Sequence, residues 1–172
     1  GLNHLGAITP GRQADLIITD DLETLPILAV YHKGQRLEQT DDIPVRKCPE
    51  ALKNTVHLSP VTADAFRLPV TREEAHVIRL DASQITTTNE MCHLETTDNY
   101  IPADGFSKIA AVERHKGTGL TGTGICSGYG ITGGAIASSV SHDSHNIIVI
   151  GDNDEDMALA VNAITEAQGG YS

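Results

Sequence analysis

Ser141, His142, Asp143, Ser144, His145 and Asn146 stand consecutively before the apolar run Ile147–Ile150. All six side chains can hydrogen-bond, two are imidazoles and one is a carboxylate. Such a segment could orient a substrate, move a proton or contribute to a metal site. Each chemistry makes its own demand on spacing. His142 and His145 are at i and i+3, not in an HExxH pattern, and a metal centre needs three or four converging ligands. On an extended segment, i and i+3 point to opposite faces. A tight metal site formed by this segment alone is therefore not expected. Two readings stay open: a polar turn whose side chains satisfy one another, and a loop that lines a substrate pocket.

Other stretches admit competing readings of the same kind. "VERHKGTG" puts Glu113, Arg114 and His115 at the end of a predicted strand leading into a glycine-rich loop. "GTGLTG" at 117–122 fits the dinucleotide pattern GxGxxG, which also requires a helix opening at the third glycine. The residues that follow, "TGICSGYGITGG", make a poor helix start. The eight glycines among the eighteen residues 117–134 then signify sharp bends or close backbone approaches. "DNDED" at 152–156 lacks the glycine and distal glutamate of a calcium loop and reads as an acidic helix start.

The elements that must position these groups follow from periodicity. Strands are predicted at Leu16–Thr19 and Ile27–Tyr31, with a turn at Lys33-Gly34. A linker or surface crossing is expected over 41–60, with one helical turn near Pro49–Lys53, and a short helix over 61–68 capped by Thr62. Further strands are predicted at Val77–Leu80, Ile85–Asn89, Lys108–Glu113, Ala135–Val140 and Asn146–Ile150. Asp154–Ala167 reads as a helix with Met157, Ala160, Val161 and Ile164 on one face, capped by Asp152 or Asn153. The class is α+β: a short β unit followed by a mixed β-sheet domain with few helices.

Composition excludes several roles. The 172 residues carry a formal net charge of −11, and the 12 Lys and Arg form no basic stripe. Neither a nucleic-acid backbone nor an anionic membrane surface is an expected partner. No apolar run approaches the ~20 residues of a membrane span. Cys48, Cys92 and Cys126 are far apart and odd in number, which fits a reduced, cytoplasmic protein. The chain starts at Gly1 and stops at "QGGYS" just after a helix, so both ends are expected to be cuts within a longer protein.

"GAITPGRQADLIITDD" at 6–21 resembles the closing segment of the amidohydrolase superfamily, where the chain returns from a barrel to a small β-sandwich. "KIAAVERHKGTG", "GAIASSVSHDSHNIIVIGDNDEDMALAVN" and "GGY" are similar to the C-terminal domain of the bacterial adenine deaminase family. This resemblance implies residues 1–45 as the C-terminal part of the β-sandwich and 46–172 as the adenine deaminase C-terminal domain. For the intact protein it implies hydrolysis of adenine to hypoxanthine and ammonia in purine salvage. It implies a homo-oligomer, and a binuclear iron or manganese centre in a catalytic barrel. These residues contain no HxH motif and too little chain for eight βα units. The fragment is expected to hold no cofactor, to partner the missing barrel and to be inactive alone.

Under that resemblance, an adenine pocket needs donors and acceptors aimed at ring nitrogens. His142, Asp143, Ser144 and His145 are the candidates to line or support it without ligating metal, joined by Glu113 and His115. The alternatives are a free-standing nucleotide- or phosphate-binding module and a structural assembly domain.

Overall fold

The computed structural model describes residues 2–38, 46–103 and 105–172. Residues 41–45 of the expected crossing lie outside the described residues. Contacts divide the chain into two units, Gly1–Lys47 and Cys48–Ser172.

In the first unit, β1 (Leu16–Thr19), β2 (Ile27–His32) and β3 (Gln35–Arg36) form an antiparallel sheet in that order. The Lys33-Gly34 turn has φ of +50° and +78°, the left-handed pair a two-residue hairpin requires. Asp15 braces the turn by accepting from the Lys33 backbone N–H at 2.8 Å and the His32 ring at 3.0 Å. None of the unit's described residues is buried.

The second unit is a six-stranded mixed sheet with one long helix, so the α+β class holds. The strands are β4 (Glu74–Leu80), β5 (Thr87–His93), β6 (Phe106–Val112), β7 (Thr121–Ser127), β8 (Ala135–Ser138) and β9 (Ile147–Gly151). Their order is β5-β4-β7-β6-β9-β8, and only the β4–β7 pair is parallel. Helix α1 (Asp154–Ala167) spans its predicted range. Of the two cap candidates, Asn153 is the one used: its side chain accepts from the Asp156 N–H at 2.8 Å. The four predicted inward residues of α1 are all buried. Burying each of the larger ones contributes about 1.5–3 kcal/mol. They pack on Ala110, Val112, Ile147 and Val149, which the register places on one sheet face. At Gly151 this packing is so close that a Cβ would lie 2.7 Å from both Ala135 Cβ and Met157 Cγ.

Several expectations are corrected. The glycine-rich stretch, which carries no strand signal in the sequence, contains a strand, β7, inside the sheet between β4 and β6. The crossing at 41–60 is also more than a linker in its last part. Gln168 brackets Val56 by bonding both its N–H (3.2 Å) and its C=O (3.3 Å). Just beyond it, Asn162 does the same for Val61, at 2.9 Å on each side. These side-chain amides replace a strand partner, so a segment without sheet pairing keeps its backbone groups satisfied. The short helices are 3-10 turns at Glu50–Leu52 and Ala63–Phe66, the latter without a Thr62 side-chain cap. Among the described residues, no helix is long and apolar enough to cross a membrane.

Candidate functional site

Register brings the candidate residues together. β6 and β9 run antiparallel and end their pairing at Val112 and Ile147. The chain leaving β6 at Glu113 therefore lies beside the chain entering β9 from Asn146. The β6–β7 loop and the β8–β9 loop share one end of the sheet.

Glu113 organises the first loop. Its carboxylate accepts from the N–H groups of His115 (2.6 Å), Lys116 (2.8 Å) and Thr118 (3.1 Å) and from the Thr118 hydroxyl (2.8 Å). These bonds, led by the Thr118 N–H, hold its pKa down at about 2 from the usual 4.5. The carboxylate is occupied by its own turn. Gly117 completes that turn at φ +65°, and a Cβ there would lie 3.0 Å from the His57 carbonyl oxygen. The GxGxxG match thus forms a turn followed by strand β7, without the helix that dinucleotide binding needs.

This carboxyl's folded pKa is depressed, so its contribution to the turn is complete above pH 4.5. It is lost as pH falls from 4.5 through 2. The Lys116 and Thr118 amide resonances should therefore titrate together with a midpoint near 2. A midpoint at 4.5 would remove the bonds inferred here, and Glu113→Gln should abolish the titration.

The second loop turns tightly. The His145 N–H donates to Ser141 O at 2.5 Å, and His145 adopts a left-handed φ of +52°. From the first loop, Arg114 Nε donates to His145 O at 2.5 Å and His115 Nε2 to Ser144 O at 2.9 Å. That bond to a carbonyl assigns the His115 proton to Nε2. The loop backbone is pinned while its side chains project outward: His142 and Asp143 are each 88% exposed. They pair through His142 Nδ1 and Asp143 Oδ1. That pairing leaves Nε2 of a neutral His142 free as an acceptor. The rings of His142 and His145 stand edge-on with centroids 6.3 Å apart. Exposed Leu120 and Val140 flank the polar cluster.

All six sequence candidates thus converge, but in different positions. His142 and Asp143 face outward, Glu113 and His115 make bonds within and between the loops, and Ser144 and His145 offer their carbonyls to the neighbouring loop. Among the described residues, no group of three or more His, Cys, Asp or Glu could hold a metal ion. The donor set of these residues does not fit a binuclear centre.

Sequence reasoning missed two groups. Arg114, placed by the sequence only at a strand end, bonds the opposite loop and the Thr55 segment. At the other end of the sheet, Lys108 is 1% exposed and gives its three protons to Asp154 Oδ1 (2.6 Å), Asn99 Oδ1 (2.8 Å) and Phe66 O (3.2 Å). Asn99 Nδ2 also donates to Asp154 Oδ2 at 2.7 Å. A lysine so occupied is a structural group. Its signal in the sequence was a charge at an inward position of the strand "FSKIAAV".

The family model described as the adenine deaminase C-terminal domain matches residues 84–172. The chain is 42% identical over 172 residues to an adenine deaminase of Desulfitobacterium hafniense (strain Y51), covering 99% of this chain and 30% of that protein. It is 42% identical over 178 residues to one of Nitratidesulfovibrio vulgaris (strain DP4), covering 100% and 31%. It is 38% identical over 182 residues to adenine deaminase 2 of Latilactobacillus sakei subsp. sakei (strain 23K), covering 99% and 31%. The chain spans about 30% of the length of the curated relatives it matches.

Proposed function

This chain belongs to the adenine deaminase C-terminal domain family, and from that membership we propose that it serves a longer enzyme that hydrolyses adenine to hypoxanthine and ammonia. The enzyme works in purine salvage in the cytoplasm, as a homo-oligomer. Residues 1–45 close its β-sandwich, and 46–172 form a domain that supports or covers the active site. The binuclear iron or manganese centre, which activates the hydrolytic water, belongs to a catalytic barrel in the remaining length. The fragment alone does not turn over adenine.

One observation carries the role of the loop: its backbone is held from the neighbouring loop while His142 and Asp143 project outward. A polar group orients a substrate only if its own position is fixed. The His142–Asp143 pair sets the imidazole tautomer and aims an acceptor outward, as an N–H of a purine requires. Ser144 and His145 complete the pocket edge, and Glu113 and His115 support it.

In the complete enzyme, His142→Ala or Ser144→Ala should lower kcat/KM for adenine roughly ten- to a hundredfold with metal content unchanged. Steady-state kinetics, melting temperature and metal analysis on the same variants separate the competing roles. A polar turn loses thermal stability with near-normal kinetics. A subunit contact alters the oligomeric state. A metal ligand loses metal together with activity. Unchanged kcat/KM in both variants removes the pocket role.

A further inference from the structure

Arg114 is tied to two other segments of the second unit. Its own carbonyl accepts from the His57 N–H at 2.7 Å. Its guanidinium reaches Thr55 O at 3.1 Å and Thr55 Oγ1 at 3.3 Å through one terminal nitrogen, and His145 O at 2.5 Å through Nε. The Thr55–His57 segment is in turn bracketed at Val56 by Gln168, just past α1. The guanidinium therefore sits on a support continuous with the helix and spans to the loop. A planar fork with several donors in fixed directions serves acceptors on two segments at once.

The bonded residue on the loop is the revealing one. His145 is a non-glycine residue at φ +52°, a region that costs energy for an L side chain. Both of its backbone polar groups are engaged, the N–H by Ser141 O and the carbonyl by Arg114 Nε. Release of the carbonyl frees His145 to relax to negative φ. That rotation would re-aim its ring and shift the adjoining His142–Asp143–Ser144 backbone.

We propose that Arg114 is a positioning residue for the deaminase reaction: it holds His145 in the left-handed conformation and thereby sets the Ser141–Asn146 loop. The role rests on the pocket function assigned to that loop and adds what keeps the pocket edge in place. His115, through its bond to Ser144 O, is the second and weaker point of attachment.

The test uses the complete enzyme with Arg114→Ala and Arg114→Lys. Arg114→Ala should speed amide exchange at residues 141–146 while leaving β9 unchanged. It should also lower kcat/KM for adenine about tenfold or more at constant metal content. Millimolar methylguanidinium should restore part of that loss, because it can reoccupy the vacated fork; a general loss of folded protein would not respond. Arg114→Lys, which keeps the charge but loses the rigid fork, should fall between wild type and Arg114→Ala. Unaltered exchange at 141–146 in Arg114→Ala overturns the positioning role outright. Faster exchange with normal kcat/KM overturns it differently, by removing the pocket role of the loop and leaving Arg114 as a structural clamp. In that outcome His142→Ala is also kinetically silent, so the two failures are distinguishable.

Discussion

Lys108→Met should destabilise the second unit by about 3–5 kcal/mol, the usual cost of removing one partner from a buried ion pair. Methionine matches the length of lysine, so little volume is lost. What remains is a carboxylate, Asp154, only 9% exposed, without its cation and held by Asn99 Nδ2 alone, a Phe66 carbonyl deprived of this donor, and an Asn99 Oδ1 left with the Leu68 N–H. The position of Asp154 in the first turn of α1 offsets part of this, by about 0.3–1 kcal/mol from the helix dipole. The loss is a large share of the 5–15 kcal/mol that holds a typical domain together. Adding Asp154→Leu should recover much of it, since an apolar pair of similar size replaces a buried ion pair at little cost. Urea unfolding of the two single variants and the double variant measures the coupling. A loss below about 1 kcal/mol in Lys108→Met would mean that the network is wet and weak.

The second large effect is a contrast within the chain. Amides of β6 and β9 should exchange on the order of a thousandfold more slowly than those of β1 and β2, because core elements open only at the cost of global stability and unburied ones open locally. β6 is paired on both sides, by β7 and β9, and carries the buried residues Ala110 and Val112. The three-stranded sheet has no buried residue among those described, and Ile17, Ile27 and Leu28 stand more than half exposed. A small sheet without a buried core is marginal in water, and its unpaired edges invite fraying or association. Hydrogen exchange resolved by residue decides the matter. Equal protection of the two units would sink the view that the first depends on contacts beyond its own residues.

The amino-acid sequence by itself determined what depends on neighbours along the chain. Helix α1 has its predicted bounds because Asn153, the acidic first turn and the spacing of Met157, Ala160, Val161 and Ile164 are all local signals. The strands flanking the polar loop were legible from apolar runs, though β8 ends at Ser138 and β9 begins at Ile147, where pairing stops. β5 was shifted, running over Thr87–His93, because Ile85 is exposed in the turn and pairing with β4 sets the limits. Strand β7 was not legible. Gly122 and Gly124 contribute no side chains to a periodic pattern, and the strand is held by ladders to β4 and β6 on its two sides.

The site divides along the same line. Its residue types were visible in "SHDSHN", and Glu113 and His115 in "VERHKG". Tertiary structure alone decided that the two loops meet, because their meeting depends on the β6–β9 register. It also decided that Arg114 reaches carbonyls 31 and 59 residues away, and that Lys108 finds Asp154 46 residues along the chain. Side-chain periodicity reports which face of its own element a residue occupies. The donors and acceptors that wait on that face come from distant segments, and only the folded backbone brings them within hydrogen-bond distance.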